Sequence, residues 1–267
     1  MEESAWAFAF GVLLLITGSV RGMIWIIQRK NERQDQISVL VETPADSGLA
    51  PNLPKDFKPT LVEVGILLAA GVLCAVYFPI GVPVVLIGGG VLMLHQHGVS
   101  VLQLWQWNSR EIGSYLVQGM DRYLLIVVPM ALLTAGSALA FKLAGATPEP
   151  QPVIVEFLQA DDHRGVITLL VMAVVIAPLW EEIVFRGILY PLLRGLQNRI
   201  FAVLVTGILF GLLHDHPPAY IPLAFLGIIL AWCYEKTGKL GYCIALHACF
   251  NAATAIGLLL IKYAPSG

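Results

Sequence analysis

The segment VITLLVMAVVIAPLWEEIVFRGILY, residues 166–190, decides how this chain is read. From 166 to 180 it holds no ionisable side chain, and it then runs directly into Glu181, Glu182 and Arg186. A bilayer core of about 30 Å takes about 20 apolar residues as helix, so the run has the length and character of a membrane span. Charged groups at mid-membrane cost about 2.5 to 3.5 kcal/mol each on insertion scales, and three of them here require a compensating arrangement. Glu182 and Arg186 are four apart, share a helical face and can pair. Glu181 is rotated about 100° from Glu182. It is left without that cation, the condition in which a carboxylate can serve as a general base.

The rest of the chain has the same solvent preference. Hydrophobic residues make up 57% of it and charged residues 13%, against roughly 25% charged in a soluble domain; the mean hydropathy is +0.77. Apolar blocks fall at 5–27, 61–78, 80–94, 123–143, 166–190, 200–214, 220–234 and 240–261. The expected fold is therefore an all-α membrane protein, a polytopic bundle of about eight transmembrane helices with the active site inside the bundle. The first block is preceded by acidic Glu2 and Glu3 rather than basic residues and is followed by no small-residue cleavage site, so it reads as a retained helix. Three divisions follow: 1–60, a first span and a polar, Pro-containing cytoplasmic linker; 61–122, a hairpin and an interfacial helix carrying Trp105, Trp107 and Tyr115; and 123–267, the core that carries the chemistry.

Lys and Arg accumulate in alternate loops in the order expected if both termini lie outside. The cysteines, Cys74, Cys233, Cys243 and Cys249, show no CxxC or zinc spacing and read as free packing thiols. A net charge of -2 with no basic patch implies no nucleic-acid partner. Gly207 and Gly211 have the spacing that lets two helix backbones approach closely.

Two further polar intrusions complete the pattern. Phe210-Gly-Leu-Leu-His214 ends one apolar block, and His247-Ala-Cys-Phe-Asn251 lies well inside the last. Read singly, His214 is a helix-end histidine and His247 with Asn251 an inter-helix hydrogen-bonding pair. The three together, Glu-Glu-x-x-x-Arg, Phe-x-x-x-His and His-x-x-x-Asn, resemble the CPBP family, the CAAX-protease and bacteriocin-processing group of intramembrane endopeptidases. The turn 234–240, YEKTGKL, is similar to the one that precedes the family's last motif. There is no HExxH, GxSxG or GxGD sequence to support another class of membrane peptidase.

The resemblance implies hydrolysis of a membrane-associated peptide, prenylated or leader-bearing, by activated water in a bacterial cell membrane. Glu181 would be the general base, with His214 holding the same water, and His247 and Asn251 would face the oxyanion. Glu182 and Arg186, with Phe210, would be structural or substrate-orienting. A metal stays open: no cofactor is required, or one zinc ion sits on Glu181, His214 and His247. A non-enzymatic immunity or scaffold protein and, further off, a transporter are the alternatives. In straight helices Glu181 would lie about 24 Å from one membrane face and His214 about 22 Å from the other, so the two meet only if the helices are offset.

Overall fold

The structure, a computed structural model, describes residues 53–264 apart from 55, 78–80, 107, 147–149 and 215. The block 5–27 lies outside them. Among the described residues the secondary structure is entirely helical: α1 Leu61–Tyr77, α2 Val82–Gln96, α3 Val101–Trp105, α4 Ile112–Leu143, α5 Pro152–Gln159, α6 His163–Leu196, α7 Arg199–Leu212, α8 Tyr220–Thr237 and α9 Leu240–Lys262. Four of these, α4 (with the turn before it), α6, α8 and α9, are long and apolar enough to cross a membrane, and α1, α2 and α7 are shorter apolar helices.

The bundle is turned outward toward lipid. Leu61, Val62, Leu132, Leu143, Ile221 and Leu260 all stand exposed, while Glu182, Arg186, Arg194 and His247 are buried. A water-soluble fold does the reverse; in hydrocarbon, apolar side chains can face outward while every polar group must find a partner inside. The centre is α8, whose Leu226, Leu230, Ala231 and Tyr234 have no exposed surface. It packs on α7, α4 and α9.

Local chemistry sets the ends. Thr60 and Glu63 form a reciprocal capping box, with the Glu63 carboxylate accepting from the Thr60 N–H at 2.7 Å and the Glu63 N–H donating to the Thr60 hydroxyl at 3.2 Å. Asp162 caps α6 and Asn198 caps α7. Gly238, at φ 64, ends α8 in the left-handed conformation that glycine adopts without strain. Beside it Lys239 donates to Glu111 at 2.6 Å, which pins the start of α4 to the α8–α9 turn and raises the lysine above its ordinary pKa.

The backbones of α7 and α8 meet at glycines. A Cβ on Gly207 would lie 2.7 Å from the Ile228 nitrogen, and one on Gly227 would lie 2.9 Å from the Gly207 Cα. Neither neighbour can move like a side chain, so Gly207→Ala should lower stability by about 1 to 3 kcal/mol. A thermal melt in detergent checks this, with Gly136→Ala, whose added methyl meets nothing within 4 Å, as the neutral control.

Three sequence expectations are corrected. The proposed interfacial helix is a short α3 followed by the first turns of α4, which is continuous over 32 residues because no helix breaker separates 112–122 from the apolar block. Within it Tyr115 is 2% exposed and packs edge-on against Tyr242 rather than sitting in a headgroup belt. Trp107 lies outside the described residues. Where the linker is described it is not all solvated, since Leu53 and Phe57 are buried in the core and Phe57 lies against Gly195 of α6. The cysteines are thiols rather than disulfides, two buried and two half-buried.

Candidate active site

The geometry of α6 comes from its prolines. Pro178 and Pro191 have no N–H to donate, and just before each the helix widens into a π-turn, Met172–Ile176 and Phe185–Leu189. Between the two turns, Ala177–Val184 carries Glu181 and Glu182. In the first turn the Ala177 N–H bonds to the Met172 carbonyl five residues back. The next bond of that kind would run from residue 178 to Ala173, and proline cannot make it. Asn251 of α9 makes it instead, its amide Nδ2 donating to the Ala173 carbonyl at 2.7 Å. In a membrane interior this is a repair, because no water is at hand to satisfy the freed carbonyl.

Glu182 is the hub of the buried polar cluster. Its Oε1 accepts from Arg186 Nη1 and from His247 Nδ1, each at 2.8 Å. Arg186, fully buried, also donates to the Gly227 carbonyl at 2.8 Å and lies 4.8 Å from the Phe210 ring centre. Thus Glu182 and Arg186 do pair, as their spacing predicts. The sequence reading missed the third member: Glu182 also orients His247. The guanidinium has no open face for a substrate carboxylate. Phe210 fills the space between the histidines, its ring 4.8 Å from that of His214 and 5.5 Å from that of His247.

The two imidazoles are held in defined tautomers. His214 Nδ1 faces the Phe210 carbonyl at 2.6 Å, and His247 Nδ1 faces the Glu182 carboxylate. Both partners are acceptors, so each Nδ1 carries the hydrogen and each Nε2 presents a lone pair. Both Nε2 atoms lie beside one atom: Glu181 Oε2 is 3.9 Å from His214 Nε2 and 3.8 Å from His247 Nε2. Glu181 Oε2 is buried and has no hydrogen-bond partner among the described residues. Three acceptors converging without a donor form a place for a group with two protons to give.

Glu181 and His214 therefore do share a depth. α6 runs for 34 residues and α7 for only 14, and this offset is what straight helices of equal length lack.

The same three side chains were the zinc set the sequence left open. Tetrahedral ligands about 2.1 Å from a zinc ion stand roughly 3.4 Å from one another, closer than the 3.8 and 3.9 Å separations here. Among the described residues no three His, Cys, Asp or Glu side chains are arranged to hold a metal ion. These residues do not fit the ion.

Comparison with known proteins addresses this region. Residues 163–253, which span both π-turns, the Glu182 hub and Asn251, match the family model for the Type II CAAX prenyl endopeptidase Rce1-like proteins. A protein of Bacillus subtilis (strain 168) named "Putative membrane peptidase YdiL" is 26% identical over 112 residues, 42% of this chain and 44% of that protein. An uncharacterized protein of Mycoplasma capricolum is 30% identical over 102 residues, 36% of this chain and 29% of that one. The matched stretch thus covers less than half the length of either relative. No solved structure matches the chain. The family model and the polar cluster fall on the same helices, so residues 163–253 carry the chain's likeness to the CAAX-endopeptidase group of membrane proteins.

Proposed function

We propose that this protein is an intramembrane endopeptidase that hydrolyses a peptide bond of a membrane-anchored peptide with a water activated between Glu181 and His214. The observation that carries the proposal is the convergence of two imidazole Nε2 atoms on the buried Glu181 Oε2. A water at about 2.8 Å from both members of such a pair bridges separations of this size and turns its oxygen lone pairs outward.

The water oxygen adds to the scissile carbonyl carbon while one of its protons passes to Glu181. The carbonyl oxygen becomes an oxyanion. Asn251 keeps one amide hydrogen for it, the other being committed to Ala173, and His247, held at Nδ1 by Glu182, lines the same pocket. The intermediate then collapses, the C–N bond breaks, and the proton on Glu181 goes to the leaving nitrogen. The substrate reaches the site from lipid, since the bundle's outer surface is apolar. Bacterial relatives support a cell-membrane location.

The test is comparative membrane proteomics of cells carrying the wild type or Glu181→Gln. Uncut tails or leaders should accumulate in the variant. If no precursor accumulates, the reading fails and a non-enzymatic scaffold takes its place. Turnover by the purified protein should be unchanged by chelator; loss of activity restored by zinc would overturn the metal-free route.

A further inference from the structure

The second proline of α6 has its own repair, and it comes from outside the matched family region. In the second widened turn the Tyr190 N–H bonds to the Phe185 carbonyl; the next donor would be residue 191, reaching the Arg186 carbonyl in the widened register or the Gly187 carbonyl where the regular helix resumes, and proline has no N–H for either. Trp105, the last residue of α3, donates its indole N–H to the Gly187 carbonyl at 3.2 Å. The contact is tight: a Cβ on Gly187 would come within 2.6 Å of the indole nitrogen. A second bond holds α3 in place, the buried Tyr234 hydroxyl of α8 donating to the Leu104 carbonyl at 2.9 Å. Straight after Trp105 the chain turns through Gln106 at φ 45, the one non-glycine residue with positive φ among those described.

The arrangement mirrors the Asn251 bond at Pro178. The segment that carries Glu181 and Glu182 is thus bracketed by two widened turns, the second of which holds Arg186; a proline follows each turn, and beside each proline a carbonyl is taken by a side chain from another helix. We propose that Trp105 is a positioning residue for the catalytic helix: it supplies the donor Pro191 lacks and so fixes the register in which Glu181 meets the two histidines. This rests on the peptidase reading given above. It also gives the region 61–122, which lies outside the matched residues, a role in catalysis.

The test is a repair experiment. Trp105→Phe keeps the ring and removes the donor, whereas Pro191→Ala puts the backbone N–H back. A buried carbonyl left without a partner matters at about the tenfold level. Trp105→Phe should therefore lower kcat roughly tenfold with KM unchanged, Pro191→Ala alone should stay within about threefold of wild type, and the double variant should recover to within about threefold. Hydrogen exchange of amides 188–193 in detergent should be faster in Trp105→Phe and slowed again in the double variant. Should Trp105→Phe not fold, Gly187→Ala displaces the indole and reads the same two quantities. Unchanged kcat and exchange in Trp105→Phe, or no recovery in the double variant, overturns the proposal. If the wild type cuts nothing, the peptidase reading falls while the exchange measurements still decide whether Trp105 repairs the helix.

Discussion

Glu181→Gln is expected to lower kcat by about a thousandfold, within the 10² to 10⁴ range for removal of a general base, while leaving the fold intact. Glutamine has the same shape and keeps one acceptor oxygen. It lacks the charge to take a proton from water. The substitution is tolerable structurally because Glu181 Oε2 has no partner to lose, and Arg186 pairs with Glu182, not with Glu181. His214→Asn should cost less, because it removes one of two acceptors around the water and leaves the carboxylate. Rates at matched protein concentration, with melts run in parallel, check both. Residual Glu181→Gln activity above about a tenth of wild type would remove this carboxylate from the proton transfer.

Arg186→Leu should have the largest effect on stability. The salt bridge to Glu182 has no exposed surface on either side, and breaking a buried pair by removing one partner costs about 3 to 5 kcal/mol because a bare charge remains. The Gly227 carbonyl loses its donor as well. Neutralising both partners, as in Glu182→Gln with Arg186→Met, should recover more than half of the lost stability, since hydrophobic replacement of a buried pair is often neutral. It should not recover activity, because His247 then faces no carboxylate at Nδ1. Melting temperature and turnover, measured on the same preparations, are predicted to separate. If the double variant is no more stable than Arg186→Leu, the desolvated charge is not what the cluster protects.

The fold class was legible because the apolar blocks are long and the charges rare. Blocks 61–78, 80–94, 200–214, 220–234 and 240–261 each correspond to an observed helix with ends within a few residues, and 166–190 to one that runs six residues further, to Leu196. The start of α4 was not legible: residues 112–122 are polar enough to resemble an interfacial segment, and only their packing on α9, where Gly119 meets the Ala245 backbone, shows otherwise. At the site, spacing of four pointed to Glu182 with Arg186 and placed His247 and Asn251 on one face. It could not show that Glu182 reaches across to His247, or that Asn251 spends one hydrogen on Ala173, since both are contacts between helices far apart in sequence. Pro178 and Pro191 were the available clue. Each announces a carbonyl that some other group must satisfy, although which group does so is fixed only by the fold.

The brevity of α7 has an effect beyond the site itself. Fourteen residues reach about 21 Å, some 9 Å short of a typical hydrocarbon slab. Thinning of the bilayer is one way lipid accommodates so short a wall, and headgroups with their water then sink toward it. On the peptidase reading, thinning beside His214 would bring bulk water closer to Glu181, and water is the second substrate that hydrolysis consumes.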